Sequence, residues 1–263
     1  MSFKKRGKKG QVTIFVIVAI VIIAGVILFF ALTDYGKGII KNISGGDVDF
    51  NSEIRNCIED NKQINSEIKL IMKQGGSLTP SNYFLFNDTK ISYLCYSNEY
   101  YKSCVMQNPN LMGNTENEIE RSIRDDIQGC FNKVEEDLKS RGYSVNKGGL
   151  NFSVDIIPKR ILIKINYPFN FQKGETSSRY ENFNFQIKSS VYQLMSISTS
   201  ILNYEARYGD SESLAYMALY PQIRVNKLKQ SDSSTLYLVS DRNTNDVFWF
   251  AVRSYAWPAG YKL

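Results

Sequence analysis

Residues 12–32 read VTIFVIVAIVIIAGVILFFAL, 21 positions without a charge and with one hydroxyl, Thr13. As a helix the run would rise about 32 Å, the hydrocarbon thickness of a bilayer. Only a helix pairs all its own backbone N–H and C=O groups in that medium, so the run predicts one membrane-spanning helix. It is longer than a buried core helix needs to be, and every face is apolar.

The flanks orient it. Residues 1–10, MSFKKRGKKG, carry Lys4, Lys5, Arg6, Lys8 and Lys9 and no acid. Such a cluster stays on the cytoplasmic side, which sends the rest of the chain outward. Without these five cations the net charge falls from +6 to +1. The pI near 9.0 is therefore a topology signal. No basic strip for phosphate binding is expected outside, so nucleic acid is not an expected partner and the lipid bilayer is.

A cleaved secretory signal is the first competitor. Its apolar core is usually about 7–15 residues and ends at small residues. Phe29-Phe30-Ala31-Leu32-Thr33-Asp34 offers no such site. A different junction, Lys8-Lys9-Gly10-Gln11 followed by Val12-Thr13-Ile14, resembles the class III signal of archaeal type IV prepilins. Gly10, Gln11 and Thr13 match that pattern. The resemblance implies that a membrane peptidase cuts between Gly10 and Gln11 and that the apolar helix stays on the mature protein. It also implies packing with other pilin-like subunits or envelope proteins. Phe15 departs from the pattern, because many pilins carry glutamate there to pair with a neighbour's amino terminus. The resemblance spans residues 4–32 only.

Residues 33–49 form a connector interrupted by Gly36, Gly38, Gly45 and Gly46. Glycine weakens helices, so no continuous stalk is expected. Residues 50–263 are enough for a real core, as one domain or as a helical, cysteine-bearing part (50–142) and a sheet-rich part (143–263). Ile54, Cys57, Ile58, Ile64, Ile68, Ile71 and Met72 follow helical spacing until Gly75-Gly76. Residues 82–106 read as short aromatic strands with turns at Asn87-Asp88 and Ser97-Asn98. Thr115-Glu116-Asn117-Glu118 matches a capping box and predicts a helix start there, with Gly142 ending the helix.

After Gly142 the period becomes two. Phe152, Val154 and Ile156 alternate, then Ile161, Ile163, Ile165 and Tyr167, which predicts a hairpin turning at Pro158-Lys159. Phe183, Phe185 and Ile187 predict another strand. Helices are expected around Val191–Leu202 and 211–219, the second stopped by Pro221. Three strands follow, and the last, apolar on both faces, is expected to be central. The fold class is α+β: an N-terminal transmembrane helix, then antiparallel sheet packed on helices.

Four cysteines allow three pairings. Cys57 and Cys130 each fall on an apolar helix face, and Cys95 and Cys104 are near in sequence, so Cys57–Cys130 and Cys95–Cys104 are the expected bonds of an extracytoplasmic domain. Sequons at Asn42, Asn87 and Asn151 are candidate glycan sites, Asn87 foremost because of its turn. With no histidine, His-based triads and His-ligated metal are excluded. No Walker or dinucleotide loop is present, so no cofactor and no catalytic residue is assigned. Asp125-Asp126 and Glu135-Glu136 point about 100° apart on a helix and read as solvated faces. The 17 tyrosines with Trp249 and Trp257 are available for a sugar- or partner-binding surface. Together these readings predict a pilin-like cell-surface protein with a structural or adhesive role. The rivals are a signal-anchored receptor that does not polymerise and an envelope hydrolase using distant carboxylates.

Overall fold

The computed structural model describes Ile22 and residues 50–257. The expectations for Gly10, Gln11, Asn42 and the apolar run (except Ile22, which is helical) lie outside the described residues. The chain divides into two units, Met1–Asp49 and Phe50–Leu263. Among the described residues no helix is long and apolar enough to cross a membrane.

The second unit opens with α1 (Phe50–Glu59) and α2 (Lys62–Lys73). The spacing of isoleucines reads as one helix, but the chain breaks at Asp60-Asn61. Asp and Asn compete with the helix for backbone groups, and here Asn61 wins as a cap. Its Oδ1 accepts the N–H groups of Gln63 (2.9 Å) and Ile64 (3.3 Å). Ile54 and Ile58 before the break and Ile64, Ile68 and Ile71 after it are all buried, which is why the periodicity hides it.

Then come β1 (Tyr83–Phe86), β2 (Thr89–Tyr96) and β3 (Val105–Met106). Asn87 (φ 46°) and Asp88 (φ 61°) turn the first hairpin with both central residues at positive φ, the geometry that matches strand twist.

Helices α3 (Leu111–Ser122) and α4 (Arg124–Ser140) follow. The capping-box expectation is wrong. The helix starts four residues earlier, after Pro109-Asn110, and Thr115 lies inside it, fully buried. Its hydroxyl donates to Leu111 O (2.8 Å), and Glu118 accepts the N–H of Leu78 (2.9 Å) rather than capping its own helix. Gly142 (φ 83°) follows the end of α4 as expected, but the single helix expected up to it is two, broken at Ile123.

The smaller sheet consists of β4 (Ser144–Lys147), β5 (Asn151–Ile157), β6 (Arg160–Lys173) and β7 (Thr176–Lys188), all antiparallel. β7 runs along one edge of β6, while β5 and β4 share the other edge in succession. Pro168, which has no N–H, sits where the pairing with β7 shifts, between Asn166 and Phe169. The buried face of β6 alternates without a break from Ile161 to Phe171. Rings from α1 and α4 fill it. Phe50 meets Phe169 at 4.8 Å between centroids, and Phe131 meets Tyr167 edge-on at 4.8 Å.

The chain ends in α5 (Val191–Tyr208), α6 (Ser213–Leu219), β8 (Ile223–Lys229), β9 (Ser234–Asp241) and β10 (Val247–Arg253). The larger sheet has the order β1-β2-β10-β9-β8, with β3 also on β2. It joins the early and late parts of the chain, because β2 lies beside β10. That pair is parallel, so this sheet is mixed where an antiparallel one was expected. Parallel pairing suits strands that meet only after a long intervening chain, as these do. β10 is central and buried on both sides. Phe248 and Phe250 face α5, and Trp249 lies under α2, where Lys73 Nζ stands 5.4 Å from its ring.

Candidate functional site

The sequence-predicted residues do not converge. Cys57–Cys130 joins α1 to α4, and Cys95–Cys104 closes the loop between β2 and β3. No cysteine is free. Asn87 sits exposed on the β1–β2 turn, and Asn151 is exposed at the start of β5. Glu135 is held by Lys139 (2.7 Å) and Lys147, whose hydrogen bonds lower its pKa. Burial, then Glu67 and Asp125, raises the pKa of Asp126. Among the described residues no group of His, Cys, Asp and Glu could hold a metal ion.

The most deeply buried carboxylate among the described residues is Glu205 on α5, 2% exposed. It accepts the hydroxyl hydrogen of Tyr237 and the N–H of Ser211 (3.1 Å). Desolvation is the main cause of its raised pKa, opposed by the Tyr237 hydrogen bond and by Lys227. Burial also raises the Tyr237 phenol. Lys227 is itself turned away to Asp210 (2.5 Å) and Ser211 O (2.8 Å). This closed pair ties α5 to β9 in the core, and neither residue lines the groove described next.

A groove of about 1540 Å³ opens between α1, the β5–β6 turn, the end of β7, α5 and α6. The end of α1 and the β5–β6 turn supply Arg55, Glu59, Lys159 and Arg160, and the end of β7 adds Gln186 and Lys188. Opposite stand Tyr192, Ser196 and Ser200 of α5 with Tyr216 of α6 and, just after it, Tyr220. Asp241, Asn243 and Thr244 complete the lining.

Its walls are pinned from behind. Asp246 Oδ2 accepts the N–H of Ser190 (2.7 Å) and the hydroxyl of Ser189 (3.0 Å), placing a negative charge at the start of α5. The Ser200 and Tyr216 hydroxyls meet at 2.8 Å and tie α6 to α5. Arg160 donates to Gln186 (2.8 Å), and Arg55 to Glu59 (2.7 Å). Glu59 also accepts the backbone N–H of Gln186 (3.0 Å) and so covers the free edge of β7 at that point.

Apart from the tyrosines as a class and Lys159 at its turn, none of these residues stood out from the sequence. The available signal was the polar stripe Tyr192, Ser196 and Ser200, four residues apart on a helix whose other face is apolar. Trp249 and Trp257 do not reach the groove. Trp249 packs on the core, and Trp257 packs edge-on to Tyr101 at 5.0 Å.

No protein-family model, curated protein or solved structure matches this chain.

Proposed function

We propose that this is a cell-surface protein of archaeal type IV pilin-like character. Residues 11–32 form its single membrane helix, and residues 50–263 form an extracytoplasmic domain with a structural or adhesive role. The observation that carries the reading is the closure of all four cysteines in two disulfides, in the part of the chain that the basic leader sends outward. The leader pattern at Gly10, Gln11 and Thr13 supports a pilin-type cut. The cut would remove all five leader cations and free the helix to pack against other apolar helices, with Ala19, Ala24 and Gly25 allowing close approach.

A second reading, a signal-anchored receptor that does not polymerise, is favoured by Phe15 at the usual glutamate position. N-terminal sequencing of the protein from its own cells separates the two. A chain beginning at Gln11, with maturation blocked in Gly10→Leu, supports the pilin-like reading. A chain still beginning at Met1 or Ser2 removes it and leaves the anchored receptor.

A further inference from the structure

We propose that the groove between α1, the β5–β6 turn, α5 and α6 binds a linear acidic polysaccharide, one whose rings carry carboxylates. Three observations point there.

The first is size. Sites for single small ligands usually run about 300–1,000 Å³. At about 1540 Å³ this groove suits a chain of several rings.

The second is charge. Lys159, Arg160 and Lys188 are exposed in the lining, and among the described residues no carboxylate pairs with them. The two lining carboxylates are both engaged. Glu59 serves Arg55 and the Gln186 N–H, and Asp241, 6% exposed, accepts the N–H of Asn243 (2.8 Å). The chain beyond the leader has a balance of only +1, so this positive wall is local. It attracts an anion.

The third is the opposite wall. Tyr192 (38% exposed) and Tyr220 (41%) offer ring surface to the apolar C–H face of a sugar. Ser196, Gln193 and Gln222 beside them can donate to and accept from sugar hydroxyls. An acidic peptide would fit the charge, but the free edge of β7 is closed to strand addition where Glu59 takes the Gln186 N–H.

The proposal stands on the groove alone and does not rest on the anchor or the leader cut. The test is titration calorimetry on the full-length chain in detergent micelles, with oligogalacturonate as probe and a neutral cello-oligosaccharide of equal length as comparison. Oligogalacturonate should bind at least about tenfold more tightly. Added salt should weaken it. Tyr192→Ala and the triple change Lys159→Gln, Arg160→Gln, Lys188→Gln should each cost about tenfold or more. The salt series uses unaltered protein and so decides even if a variant fails to fold. Absence of oligogalacturonate binding, equal binding of the neutral chain, insensitivity to salt, or tighter binding of a poly-glutamate peptide or single-stranded oligonucleotide would each overturn the proposal.

Discussion

Glu205 on α5 accepts the hydroxyl hydrogen of Tyr237 on β9, so a carboxylate that is 2% exposed ties the long helix to the larger sheet. Its pKa is raised chiefly by desolvation. The folded state then holds the proton at a pH where the unfolded chain has already released it, and stability falls as pH rises from the unfolded value near 4.5 through the raised folded value. Glu205→Gln removes that dependence. The stability difference, wild type minus Glu205→Gln, is expected to decline over that window in denaturant titrations at a series of pH values. A difference that is flat or rises with pH would show that Glu205 is not desolvated as described.

The two disulfides close loops of very different length. Sequence separations of 73 and 9 correspond to roughly 4 and 2.5 kcal/mol in the chain-entropy model. The Cys57→Ser, Cys130→Ser pair should therefore lower the unfolding midpoint more than the Cys95→Ser, Cys104→Ser pair. The reverse order would mean that the short loop carries native contacts beyond its closure entropy.

The fold class was legible in the residues because alternation in 151–187 and helical spacing in 119–138 are strong signals. One failure was local and two were long-range. The Thr-x-x-Glu pattern at Thr115 is a true capping pattern in an untrue place, because tertiary partners claim both side chains. Thr115 is buried, and Glu118 reaches the Leu78 N–H. The parallel β2–β10 pair could not be read, because strand partners so far apart in sequence leave no local trace. The groove was hidden for the same reason: its walls come from segments as distant as Arg55 and Thr244.

That correction has a direct test. Thr115→Ser keeps a hydroxyl able to cap but removes a buried methyl group, so it should cost about 1 kcal/mol, as methyl deletions do. A cap residue would lose almost nothing on the same change. Asn61→Ala should cost about 1 kcal/mol through the lost cap of α2. Unfolding titrations of the two variants decide both points.

Gly209 ends α5 at φ 80°, and its N–H donates to Glu205 O (2.9 Å). An added Cβ would overlap the Tyr255 ring. Gly209→Ala is expected to cost about 2 kcal/mol or more, from left-handed strain and overlap together. Gly149→Ala, whose Cβ meets nothing within 4 Å, should change little in the same unfolding assay.

The claim on which the functional account turns is that residues 50–263 lie outside the cell. Lys62, Lys69, Lys90 and Lys133 are exposed on the folded domain. A membrane-impermeant amine reagent applied to intact cells, followed by peptide mapping, reads their side of the membrane directly. All four are expected to be modified before lysis. Modification of these lysines only after the cells are broken would contradict it.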